Sequence, residues 1–484
     1  MLAVAILGGC VLLAGAAFVG WRLWRAQPRA QVVESDERPA IPEPRSIPDF
    51  PDRQLLLPRF AGPPEPEPFV GPPEPPPPPQ PVFFGPPEPS PEWLANHKVR
   101  QAIDRGVAFL KGRIDKPVRE PYFGVGATAL AGLTLLECGV PPDDPAVQKA
   151  ATLVRGITGK IMGQSATPIM AVYEYAVAVW FLDRLGKEAD RPLIRSLALR
   201  LIAGQTVNGG WNYGAVPALT DKAEKELAEL LKSKPDAAAP AAKDALLKNV
   251  AALRFRSGDK VTFQAAMRDD NSLTQFAILA LWVARKHGVP VERPLALVEA
   301  RMRACQFDDG SWGYQSPDGY KSVWRDSMTC AGLTGLAVAR GVRPRDETEA
   351  KPVRDDAVDR GVRYIRQRLG KDRKAQAKLP NPPPDVATFK GKLIGADSAG
   401  DLYFLWSVER MAMVYEWPTI GDIDWYTWGC ELILPAQQAD GSWVDVFPKV
   451  PDTCFALLFL KRANVVKDLT VELKSKPIEI RTKD

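Results

Sequence analysis

The chain has 484 residues, 45% hydrophobic and 25% charged, with a formal net charge of +5. That composition excludes wholesale disorder, and so small a basic excess gives no case for nucleic acid. Two histidines exclude a multi-histidine metal enzyme, and six cysteines without a CxxC pair indicate neither a zinc ribbon nor a disulfide scaffold. No metal and no cofactor is expected.

Residues 1–22 open the chain as a transmembrane helix or uncleaved signal anchor. Leu2 to Trp21 are uncharged and mostly apolar, a span of about 20 residues, long enough to cross a bilayer. A cleaved signal peptide is the rival, with Ala14-Gly15-Ala16 as its cleavage site, but no basic region precedes the apolar run. Arg22, Arg25 and Arg29 favour a cytoplasmic body by the positive-inside rule, with an exported body as the alternative. The expected localisation is a single-pass membrane protein.

Residues 23–92 form a proline-rich linker. Proline totals 47 residues, GPPEP begins at Gly62, Gly71 and Gly85, and Pro75 to Pro79 are consecutive. Proline lacks the N–H donor and fixes φ, so neither ladder nor helix forms. Polyproline II at ~3.1 Å per residue would let the fifty-odd residues from Pro39 to Pro91 reach ~150 Å. The segment reads as a stiff spacer or as a docking site for a proline-binding module.

From Trp93 onward the periodicity is helical, and two kinds of helix alternate. Charged amphipathic helices are predicted near 97–112, 145–159, 190–205, 291–306, 355–369 and 422–437. Apolar helices rich in small residues are predicted near 124–139, 166–186, 271–287, 326–340, 398–416 and 452–463. Ala102-Ile103-Asp104-Arg105-Gly106-Val107 recurs as Ala357-Val358-Asp359-Arg360-Gly361-Val362, one helix type used twice. Two insertions interrupt the alternation: a helical pair at 215–262 with a capped start at Asp221 to Glu224, and a loop at 371–397. In the tail, 464–484, the alternation of Leu469, Val471 and Leu473 predicts a short strand.

A second repeat has the spacing QxxxGxW. It occurs as Gln205, Gly209, Trp211, then Gln306, Gly310, Trp312, then Gln437, Gly441, Trp443. Glycine permits φ > 0 after a helix end, glutamine can satisfy backbone groups left open there, and tryptophan buries a large plane. This motif resembles the QW repeat of the terpenoid cyclase and protein prenyltransferase (squalene cyclase-like) superfamily, over residues 93–463. The resemblance implies an all-α fold, an (α/α)6 toroid of six helical hairpins. The charged helices would form an outer ring and the apolar ones an inner ring around a deep cavity.

The superfamily's chemistry is harder to find. Squalene-type cyclases protonate an alkene with the middle aspartate of DxDD, a carboxylic acid kept protonated away from bulk water. Met267-Arg268-Asp269-Asp270 retains the last two aspartates, so Asp269 is the candidate acid and Asp270 its neighbour. The structural alternative makes Asp270, Asp326 and Asp452 helix N-caps. Asp355, Asp356 and Asp359 match DDxxD, the magnesium-diphosphate motif, but lie on an outer helix and read as an acidic first turn. His97 and His287 lack Cys and Asp partners at zinc spacing and read as surface residues. Trp180, Trp282, Trp324, Trp406 and Tyr403 are candidates to line the cavity.

The leading expectation is a membrane-anchored, non-catalytic repeat protein that binds an isoprenoid, another lipid, or a protein partner through the toroid or the linker. The rival is a diverged terpenoid cyclase acting on a membrane isoprenoid with Asp269 as acid. A third reading is a scaffold whose toroid is filled by its own side chains.

Overall fold

The computed structural model describes residues 97–479, except 115–123, 163–169, 214–215, 234–241, 257, 262, 265–268, 316–324, 344–352, 371–387, 390–391, 394–401 and 477. The N-terminal segment, the proline linker, Trp324 and most of the 371–397 insertion therefore lie outside the described residues. No described helix is long and apolar enough to cross a membrane.

The described chain is largely helical. Six apolar helices carry the core: α2 (Gly124–Glu137), α4 (Ala171–Leu185), α8 (Asn271–Arg285), α10 (Arg325–Val342), α12 (Leu402–Tyr415) and α14 (Lys449–Lys461). Their sequences lack a polar stripe, so they are stable only when covered on all sides. Every residue from Asn271 to Ala284 is buried, as is every residue from Val450 to Leu460. The packing order follows the chain and then closes. α2 packs on α4, α4 on α8, α8 on α10, α10 on α12, α12 on α14, and α14 back on α2.

Outside this cycle lie α1 (His97–Ile114), α3 (Pro145–Met162), α5 (Arg191–Ala203), α9 (Glu292–Ala304), α11 (Asp356–Arg366) and α13 (Trp425–Ile433), of which α13, expected to be charged, is mostly apolar with Glu431 as its one charge. Helix α1 shows why: it buries Val99, Ala102, Ile103, Gly106, Leu110 and Ile114, one stripe at helical spacing, and leaves its charges outside. It packs on α14 and α2; α5 packs on α4 and α8, and α11 on α10. Ion pairs join successive outer helices: Lys111 to Asp144 (2.6 Å), Arg155 to Asp190 (2.6 Å), Arg303 to Asp355 (2.7 Å) and Arg366 to Asp422 (3.1 Å).

The QxxxGxW turns tie the two layers together. Each glutamine amide donates to the carbonyl of its own glycine and to a carbonyl on the next outer helix. Those second acceptors are Pro294 (3.0 Å), Ala357 (2.8 Å) and Ala102 (2.9 Å). Each tryptophan indole donates to a carbonyl at the end of the preceding helix, Leu201, Met302 or Ile433, at 2.7–2.8 Å. Its backbone N–H meets a threonine hydroxyl on the following inner helix, Thr274, Thr329 or Thr453. The glycines sit at φ +81°, +87° and +84°. A Cβ there would fall 2.7 Å from the Leu297 carbonyl oxygen, 2.4 Å from that of Arg360 and 2.4 Å from that of Arg105.

Several local expectations need correction. In the 215–262 insertion, α6 (Asp221–Lys232) is capped by Thr220, which accepts the Ala223 N–H, one residue before the expected start. Glu224 turns away to Ser196 and Arg200 instead of closing a capping box. A single turn, α7 (Ala251–Arg254), joins α6 against α9. In the tail, residues expected as a strand form α15 (Lys467–Lys474). Leu469 and Leu473, four apart, are buried on one side of the helix, while Val471 is 61% exposed on the other. Strand pairing begins only later. β4 (Ile478–Glu479) lies parallel to β1 (Val353–Arg354), and β2 (Thr388–Phe389) pairs antiparallel with β3 (Lys392–Leu393).

Candidate functional site at the centre of the helical ring

Asp269 and Asp270 precede α8, and their side chains part. Asp269 is fully buried and accepts from Arg301 (2.8 Å), Thr206 (3.0 Å) and Asn208 (3.1 Å). Arg301 comes from outer helix α9, so this carboxylate pins the first QxxxGxW turn between two helices. Asp270 is the N-cap of α8 and accepts the Leu273 N–H at 2.6 Å. Burial pushes its carboxyl up to about 7, against the pull of the Leu273 N–H, the Tyr314 hydroxyl and Arg301.

Asp326 and Asp452 do not cap as expected. Both lie inside the first turn of their helices. Asp326 accepts from the Tyr364 hydroxyl at 3.1 Å, tying α10 to α11. Asp452 accepts from the Asp445 and Phe447 N–H groups, which folds the preceding loop over α14. Asp445 in turn accepts the Leu402 N–H at the start of α12. In the DDxxD match, Asp355 caps α11 and forks onto Arg303. His287, expected at the surface, is 4% exposed and pairs with Asp183 at 2.8 Å.

Trp180, Trp406 and Tyr403 come together; Trp282 does not join them. Trp282 faces α10 and α15, against Gly341 and beneath the Arg285 guanidinium at 4.2 Å. The Trp180 ring stacks on Phe276 (5.1 Å), Phe276 meets Trp406 edge-on (5.6 Å), and Trp406 stacks on Phe455 (4.6 Å). Tyr403 adds contacts to Phe447 and Phe455. Apart from Phe447, in the loop before α14, these rings come from α4, α8, α12 and α14, and α8 and α12 are separated in the cycle by α10. The Phe276–Trp406 contact therefore crosses the interior.

A hydrogen-bonded chain crosses at the same level. The Tyr173 hydroxyl donates to Ser272 (2.8 Å), Ser272 and Tyr403 share a 2.5 Å bond, and Gln275 donates to Tyr403 (2.5 Å). Arg410 donates through Nη2 to Gln275 (2.8 Å) and Ser407 (3.1 Å) and lies 3.5 Å over the Trp406 ring. Tyr213 and Tyr314 share a 2.6 Å bond nearby. Burial pushes the Tyr173 and Tyr314 hydroxyls well above the usual phenol range. Apart from the Arg410 guanidinium, these groups are neutral donors and acceptors that join helices across the interior.

Tyr173, Ser272, Gln275, Phe276 and Arg410 were not singled out from sequence. The available signal was an arginine and a glutamate, Glu409-Arg410, in the middle of an apolar helix, where an unmatched charge is costly. No protein-family model matches the chain, and no curated protein matches it.

Proposed function

We propose that the chain is a non-catalytic (α/α)6 toroid of the terpenoid cyclase and protein prenyltransferase type, tethered to a membrane by its N-terminal segment. Its interior is filled by its own side chains, and it works as a scaffold for a protein partner. The observation that carries this reading is the set of contacts across the ring. Phe276 to Trp406, Ser272 to Tyr403 and Gln275 to Arg410 join helices on different sides of the cycle. A hydrocarbon substrate would need the space these side chains occupy.

The partners of Asp269 point the same way. An alkene-protonating acid has to hold a proton near its substrate. Asp269 instead accepts three donors, one a guanidinium, at a junction with an outer helix. Native mass spectrometry of the full-length protein released from detergent tests the reading. No adduct of isoprenoid mass is expected; a stoichiometric one that survives activation would overturn the filled interior.

A further inference from the structure

The 215–262 insertion carries a group of cations that the chain does not neutralise. Lys243, Lys248, Arg254, Arg256 and Lys260 are all exposed, and among the described residues none forms an ion pair. On the outer helices, by contrast, Lys111, Arg155, Arg303 and Arg366 are each paired with an acid. Acidic groups close to the five cations are turned to the backbone instead. Asp244 accepts the Leu246 N–H, Asp259 the Arg256 N–H, and Glu226 the Lys243 N–H. The segment is anchored beneath. Leu247, Val250, Ala252 and Leu253 are buried, α7 packs on α9, and Arg293 of α9 donates to the Leu253 and Ser233 carbonyls. Arg254 donates to the Lys248 carbonyl, which brings those two positions together. Between Lys243 and Lys248, on a single 3-10 turn (Ala245–Leu247), Leu246 is 49% exposed.

We propose that this face docks on an anionic membrane surface, its cations at the headgroup phosphates and Leu246 at the acyl boundary. Composition selects lipid over a protein partner. Protein interfaces favour aromatic residues and are poor in lysine. Here three of the five cations are lysines, and the one aromatic residue among them, Phe255, is half-buried. An exposed leucine flanked by lysines is also the pattern of an interfacial segment. The proposal rests on the membrane tether and not on the filled interior. A linker spanning residues 23–92 lets any side of the helical domain meet the bilayer, so charge decides which side does.

The test acylates the amines of the full-length protein on vesicles of phosphatidylcholine, alone or with about one-third phosphatidylglycerol. Lys243, Lys248 and Lys260 are read by mass spectrometry against Lys187, which is exposed between α4 and α5. On the anionic vesicles their relative rate is expected to fall roughly threefold or more and to recover in high salt. Lys243→Glu combined with Lys248→Glu, both at exposed positions, should abolish the fall at Lys260. Equal relative rates on the two vesicles, or a fall that survives the double substitution, overturns the docking face; flotation with both vesicles then leaves the tether standing. The same slow labelling in lipid-free detergent means that a protein segment or a second copy covers the patch, which also overturns the proposal. A protein that does not float with phosphatidylcholine vesicles overturns the tether. In that case flotation with anionic vesicles alone, lost in the double substitution, supports the docking face, and no flotation overturns it.

Discussion

Asp269 illustrates how a residue's role depends on what lies across from it. In sequence Asp269 reads as a candidate acid by resemblance to DxDD; in the fold it is half of a buried ion pair. Its partner, Arg301, lies 32 positions later on a helix of the other layer, and no local pattern reveals it. Removing one member of a buried pair strands the other, at a cost of about 3–5 kcal/mol. Asp269→Asn should therefore lower stability on that scale in a denaturant titration. Adding Arg301→Met should restore part of the loss, whereas two independent lesions would simply add. Glu416 gives the opposite expectation. It ends α12 at φ +55°, a left-handed conformation that costs a non-glycine residue about 1 kcal/mol. Glu416 is exposed and its side chain pairs with Lys474, so Glu416→Gly should leave Tm unchanged or raise it. A clear fall would mean that the ion pair outweighs the strain.

At the level of the element, the alternation of apolar and charged helices was legible because each kind has a sequence-local cause. One must be covered all round and the other along a stripe. The QxxxGxW turns were legible for a similar reason, since glutamine, glycine and tryptophan act within seven residues of each other. The first turn differs from the other two. Arg105 and Arg360 donate to the oxygens of Gln437 and Gln306, while Leu297 stands at the matching place and, among the described residues, the oxygen of Gln205 has no partner. The glycines can be tested against a control in α1. Gly310→Ala would push a Cβ to 2.4 Å from a backbone oxygen at φ +87°, costing on the order of 3 kcal/mol. Gly112→Ala, where a Cβ meets nothing within 4 Å, should stabilise by about 0.5–1 kcal/mol through helix propensity. Equal effects at the two sites would remove the steric account of the motif. The tail was misread because three alternating residues fit a strand and one helical turn equally well. Packing of α15 against both α10 and α12 selects the helix.

For the whole molecule, the position of the core was legible and its contents were not. Which side chains meet across the interior depends on ring closure, a property no single segment carries. Trp180, Tyr403 and Trp406 were found as aromatics on inner helices, while Arg410 and Gln275 gained their meaning only from facing each other. The interior also leaves a titration signature. Burial raises the Glu174 carboxyl from 4.5 to about 7 and Asp270 from 3.8 to about 7. A carboxyl raised in the folded state favours folding while both states are protonated. That advantage disappears as pH climbs from the unfolded value through the folded one. Stability should therefore decline between about pH 4.5 and 7, by on the order of 3 kcal/mol for Glu174. Glu174→Gln should flatten that part of the Tm-against-pH curve, and an unchanged slope would show that Glu174 does not titrate there.

The bond from Gln437 to the Ala102 carbonyl joins residues 335 positions apart, and α14 covers faces of both α1 and α2. On a ribosome, the first of these helices emerges long before the last. At ~5–20 residues per second that gap is roughly 20–70 s of synthesis. Throughout it, the apolar side of α2 that α14 will cover stands open, beside Gly106 waiting for Trp443 and Leu457. The nascent chain thus passes through an unfinished arc with a sticky edge at its leading end. Its burden on chaperones should fall mainly on that interval and end when α14 emerges.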